Sequence, residues 1–148
     1  MPDVSYLDSS VAICSQLSPR DLASMAARGF HTLINNRPDR EAWLGQPTHE
    51  ALATAADAAG MTSHFLPITL QTLQADDVRR FHQIVEHANG PVLATCASGF
   101  RCALLWGMSR IAFAGGDPSS VLTATAAAGQ PLEQHLPLID RLVGELGR

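Results

Sequence analysis

The chain of 148 residues contains no lysine; all ten of its basic residues are arginine. That absence excludes Schiff-base chemistry and the Gly-Lys-Ser/Thr phosphate loop, both of which need an ε-amino group. There is no basic run either, and the formal charge is -4, so nucleic acid is not expected as a partner. Nowhere do about 18 apolar residues follow one another, and MPDVSYLDSS at the start holds neither a basic nor an apolar leader segment. No membrane contact or export is expected. The three cysteines are odd in number and fit free thiols in the cytoplasm better than a disulfide framework. Six histidines show no zinc-type spacing, His82 and His87 being five apart, and neither a metal nor a cofactor is expected.

What is present is a globular composition, 46% hydrophobic and 16% charged. One domain over residues 1–148 can bury roughly 70% of its unfolded surface. SVAIC (residues 10–14), HTLINN (31–36), SHFLPI (63–68) and PVLAT (91–95) read as strands. Between them lie helical stretches: one with Ser18 as cap and Pro19 at its first position, one from Thr48 to Gly60, and one capped by Asp76 or Asp77. After PVLAT only helices are expected, from Cys102 to Gly116, Ser119 to Ala128 and Leu132 to Leu146. Such alternation predicts an α/β fold with a mostly parallel four- to five-stranded sheet flanked by helices. PVLAT, apolar on both faces, is the candidate central strand, and Pro67 favours an edge or strand end for SHFLPI. Trp43, in the loop after HTLINN, is expected to anchor in the core.

The chemistry concentrates in TCASGFRC, residues 95–102. A Cys followed by Gly at +3 and Arg at +5 is expected from composition about 0.015 times per chain, so coincidence is a poor explanation. Between a strand and a helix, the backbone N–H groups of Ala97, Ser98, Gly99 and Phe100 form an anion cradle to which the helix N-terminus adds positive potential. Gly99 permits the nest, Arg101 supplies a planar charged fork, and the same field favours a Cys96 thiolate. Cys96 and Arg101 are therefore the candidate catalytic pair.

This segment, together with YLDSSVAICSQLSPRDL and LINNRPD, resembles the phosphatase-like domain of the beta-lactamase-hydrolase-like family. The resemblance implies the fold of cysteine-dependent tyrosine and dual-specificity phosphatases, a thiolate at Cys96 and an anion-binding Arg101. It also implies a proposed sulfur-transferase activity and a persulfide dioxygenase or sulfide oxidoreductase as partner. Ala97 stands where the family usually has arginine, and Cys102 where it usually has serine.

Two chemistries share this loop. Tyrosine phosphatases use Cys-x5-Arg, whereas Cys96 to Arg101 is Cys-x4-Arg, a spacing similar to that of rhodanese sulfurtransferases. A phosphatase also needs an acid for its leaving oxygen, and TLQTLQ after HFLPI carries none. Asp39 is the remaining candidate acid and Arg37 a candidate auxiliary anion ligand, both against a turn role. Thr95 stands where the phosphatase signature has histidine. The leading expectation is a sulfurtransferase forming a persulfide on Cys96 from a small anionic or sulfane-sulfur substrate. A tyrosine or dual-specificity-like phosphatase using the same pair is the alternative, and a non-catalytic persulfide- or anion-binding module the third. Cys102 is either a resolving thiol or helix packing. Cys14 is expected to be structural.

Overall fold

In the computed structural model, which describes residues 1–147, five strands form one sheet in the order β1-β2-β5-β3-β4. They are β1 (Val4–Tyr6), β2 (Val11–Cys14), β3 (Thr32–Asn35), β4 (Thr62–Phe65) and β5 (Val92–Thr95). Strands β2, β5, β3 and β4 run parallel, and β1 is antiparallel to β2. The central place of PVLAT and the edge place of SHFLPI follow from their chemistry: every residue of β5 is buried, whereas β4 is half-exposed and ends before Pro67.

β1 is an element that the sequence reading missed. Three residues give no alternation to detect, and the strand exists because Asp8 Oδ1 accepts from the N–H groups of Ser10 and Val11, turning the chain back. The helices are α1 (Asp21–Ala27), α2 (His49–Ala58), α3 (Ala75–His87), α4 (Phe100–Phe113), α5 (Pro118–Ala127) and α6 (Leu136–Glu145), with a 3-10 turn at Glu133–His135. Two caps differ from expectation. Ser18 gives its hydroxyl to Asp21 Oδ2 instead of capping, so α1 starts later, after Arg20. Neither Asp76 nor Asp77 is the N-cap of α3; Gln74 is, with its N–H donated to Asp77 Oδ2, while Asp76 pairs with Arg79.

Period-2 alternation sorts the strand residues onto two core layers. Val11, Ile13, Ile34, Val92 and Ala94 face the layer made by α3, α4 and α6 through Phe81, Leu104, Leu105 and Leu142. Ala12, Cys14, Leu33 and Leu93 face the other, made by α1 and α2 through Leu22, Met25 and Leu52. Helix α4 is buried on nearly all sides because it lies between the sheet and α3, α5 and α6. Among the described residues no helix is long and apolar enough to cross a membrane.

Register positions the site. Cys14, Thr95, Asn35 and Phe65 are neighbours across β2, β5, β3 and β4. The segments that leave these four strands, at Ser15–Gln16, Cys96, Asn36–Arg37 and Leu66–Ile68, therefore emerge on the same edge of the sheet. In a parallel sheet that carboxyl edge is where ligands bind.

Candidate active site

The loop from Cys96 to Arg101 is built by three anchors. Thr95 Oγ1 donates to the Ser15 carbonyl at 2.7 Å, fixing the end of β5. The Gln16 N–H reaches the Ala97 carbonyl at 3.4 Å, and Gln130 Nε2 donates to the Ser98 carbonyl at 2.9 Å. Gly99 then takes φ +94°, in the left-handed region, as the N-cap of α4. A Cβ there would stand 3.3 Å from Gln130 Nε2 and 3.5 Å from the Cys14 carbonyl oxygen. The left-handed backbone favours glycine, while the Cβ would only nudge the end of the Gln130 side chain.

This backbone turns its donors onto one atom. The Gly99 N–H donates to Cys96 Sγ at 3.1 Å. The Cys102 thiol and the backbone N–H groups of Cys102, Gly99 and Ser98 are the donors around this sulfur that favour its charged form. The Cys102 thiol has the largest effect; together these bonds overcome burial and pull the Cys96 thiol down from 9.0 to about 5. At neutral pH Cys96 is a thiolate. The Phe100 N–H is turned instead towards Ser98 Oγ at 3.4 Å, so it leaves the cradle to its neighbours.

The other two cysteines behave differently for the same physical reason. Burial raises the Cys102 thiol well above its usual range, so it keeps its proton and serves as a donor. Cys14 is buried under the same loop and is pushed up to about 12, mainly by desolvation.

Arg101 leaves the first turn of α4 and is held by two partners. Its Nη1 and Nη2 each lie 2.7 Å from a carboxylate oxygen of Glu41, and Nη1 also donates to the Ile68 carbonyl at 2.9 Å. Arg37 meets the same carboxylate through Nε at 3.0 Å and donates Nη1 to Gln16 Oε1 at 2.9 Å. Glu41 thus bridges both arginines, and its carboxyl is held down at about 2, chiefly by Arg101. Of the residues expected here, Cys96, Arg101, Cys102 and Arg37 are brought together. Asp39 is engaged elsewhere: its Oδ1 accepts the His49 N–H at 2.7 Å at the start of α2.

The sequence reading missed Glu41, Gln16 and Gln130. None carries a motif, and Glu41 lies in an irregular loop where its spacing from Arg37 signals nothing. The same loop corrects the expectation for Trp43, which is 93% exposed and not a core anchor. A broad groove lined by His31, Thr32, Thr62, His64 and His87 lies at the opposite, amino-terminal edge of β3 and β4, away from Cys96. Among the described residues no group of three or more His, Cys, Asp or Glu side chains is placed to hold a metal ion.

Residues 3–114 match the family described as "Beta-lactamase hydrolase-like protein, phosphatase-like domain". The chain belongs to this family. A Beta-lactamase hydrolase-like protein from Agrobacterium fabrum is 38% identical over 100 residues, 68% of this chain and 23% of that protein. The chain therefore spans about a quarter of the length of this curated relative. Among solved structures, a "putative phosphatase" from Neisseria meningitidis is 37% identical, covers 93% of this chain and 96% of its own, and superposes with a TM-score of 0.82. P. aeruginosa TpbA, solved with pTyr, shares the fold at 15% identity and a TM-score of 0.68, over 98% of this chain and 90% of its own. The phosphatase-like family member described here is accordingly an α/β enzyme domain whose fold is that of cysteine-dependent phosphatases.

Proposed function

We propose that this domain is a cysteine-dependent sulfurtransferase. The observation that carries the proposal is a stabilised thiolate with a second, neutral thiol as its strongest donor and an ionised carboxylate, Glu41, on its anion clamp. The Cys96 thiolate attacks the outer sulfur of thiosulfate, the S–S bond breaks, and sulfite leaves with the electron pair. Cys96 then carries a persulfide, and the Ser98, Gly99 and Cys102 donors together with Arg101 stabilise its terminal sulfur in this reading. An acceptor thiolate takes that outer sulfur and restores the Cys96 thiolate. Neither step releases an alkoxide, so no acid is required.

The Cys102 proton supports Cys102 as a donor that holds the thiolate, in preference to a resolving nucleophile, because burial keeps the thiol neutral. By the family's domain arrangement, a persulfide dioxygenase or sulfide oxidoreductase module is the proposed partner, and the cytoplasm the proposed location.

Phosphate-ester hydrolysis is favoured by a specific observation of its own, the 37% identity to the Neisseria phosphatase-like protein. In that reading the same thiolate attacks phosphorus and forms a phosphocysteine that water then hydrolyses. The carboxylates argue against efficient cleavage of alkyl esters: Asp39 is bound to the His49 N–H and Glu41 is ionised. Activated aryl esters such as nitrophenyl phosphate, whose leaving group needs no proton, remain accessible.

The test is to supply the protein with thiosulfate and cyanide, and separately with a chromogenic aryl phosphate, using Cys96→Ser as control. Cys96-dependent thiocyanate exceeding phosphate release is the expected result. Cys96-dependent phosphate release without thiocyanate would overturn the sulfur reading, and no turnover of either kind would leave a binding module.

A further inference from the structure

The clamp expected to receive a substrate is already occupied by the chain's own carboxylate. Glu41 lies 2.7 Å from both terminal nitrogens of Arg101 and 3.0 Å from Arg37 Nε. Cys96, which has to meet a substrate, exposes 1% of its surface. Glu41 comes from a loop tied mainly to itself, with the Ala42 N–H on Gln46 Oε1 and Gln46 Nε2 on the Pro38 carbonyl. Arg40 takes φ +59° beside it, and the following residues, Trp43 and Leu44, are exposed. Glu41, Trp43 and Leu44 belong to neither core layer, so displacing the Glu41 carboxylate opens no core packing.

We propose that Glu41 sets the specificity threshold of the anion clamp: a tethered competitor that a substrate must displace from Arg37 and Arg101, weakening every anion alike so that only the doubly charged oxyanions, which the arginine pair holds more tightly, still bind. This deepens the function proposed above by naming the substrate class, dianions such as thiosulfate. The selection follows from charge and tethering. Two guanidinium groups face one carboxylate, so a monoanion entering the clamp exchanges one negative charge for another. It does so against a carboxylate held nearby at an effective concentration on the order of millimolar. A dianion gains a second Coulomb attraction to the arginine pair in a partly desolvated site, and outcompetes the tether. Apparent affinity for any anion is reduced by the fraction of molecules in which Glu41 has left.

The experiment is calorimetric titration with sulfate and, separately, nitrate, neither of which reacts with Cys96, on the wild type and on Glu41→Gln. The glutamine keeps the length and removes the charge. For the wild type, sulfate binding with little or no nitrate binding is expected. For Glu41→Gln, both anions bind tighter, by about tenfold or more and by a similar factor, so that nitrate binding becomes measurable. Unchanged or weaker binding of both would overturn the proposal and make Glu41 a residue that positions Arg101. Nitrate binding as tight as sulfate binding in the wild type would overturn the selection by charge. Should circular dichroism show Glu41→Gln to be unfolded, Glu41→Ala, which also removes the carboxylate, carries the same expectation. Because these anions are not turned over, failure here is distinguishable from failure of the sulfur-transfer chemistry.

Discussion

The Cys102 thiol, in the first turn of α4, is the strongest influence drawing down the Cys96 thiol, six residues earlier just beyond β5. A protonated thiol and a thiolate thereby form a buried pair in which one sulfur's high proton affinity sustains the other's low one. A hydrogen bond to a charged group is worth about 1.5–3 kcal/mol, and one pKa unit corresponds to 1.36 kcal/mol. Cys102→Ala should therefore raise the Cys96 thiol by about one to two units. Cys102→Ser, which keeps a donor, should shift it far less. The ultraviolet absorbance of the thiolate against pH reads both. Equal shifts in the two variants would mean that packing, not donation, is what Cys102 supplies.

Stability should follow the same titration. The folded Cys96 loses its proton at about 5 and the unfolded one at 9.0, so between these values the unfolded chain binds more protons. The contribution of Cys96 is present above 9.0 and is lost as pH falls through about 5. Cys14 works in the opposite sense: held neutral up to about 12, it stabilises below 9.0 and loses that contribution as pH rises towards 12. Urea denaturation across pH should show stability climbing from pH 5 to pH 9, with a shallower climb in Cys96→Ala.

At Gly99 a side chain meets backbone strain in the left-handed region. Gly99→Ala should cost about 1–2 kcal/mol from the left-handed backbone alone. If the loop gives way, the N–H now 3.1 Å from Cys96 Sγ moves off and the Cys96 thiol rises. Melting and thiol titration on one sample distinguish the two effects. A stable variant with an unchanged thiol would show that the cradle tolerates a Cβ.

Asp39 separates a structural role from a chemical one. With its carboxylate on the His49 N–H at the start of α2, Asp39→Ala should cost about 0.5–2 kcal/mol, as loss of a helix cap does, and leave turnover intact. A selective fall in kcat on alkyl phosphates with unchanged melting would instead make Asp39 the missing acid.

How much of this was legible beforehand depended on whether the chemistry was local. PVLAT announced a central strand because both of its faces are apolar, and CASGFR announced a cradle because glycine and arginine fall at fixed places along a short loop. Fold and family followed from these. The clamp was not legible. Glu41 meets Arg101 across 60 positions through an irregular loop, and no periodicity ties a loop carboxylate to a distant guanidinium. Trp43 misled for a related reason: large aromatics usually seek the core, but this loop turns at Arg40 and leaves its tip outside.

The most direct measurement is intact-mass spectrometry of the protein after incubation with thiosulfate, with Cys96→Ser and Cys102→Ser in parallel. The mass of one added sulfur atom on the wild type and on Cys102→Ser, absent from Cys96→Ser and removed by an acceptor thiol, is the predicted result. No added sulfur on the wild type, with a phosphoryl group trapped on Cys96 from an aryl phosphate instead, would contradict it.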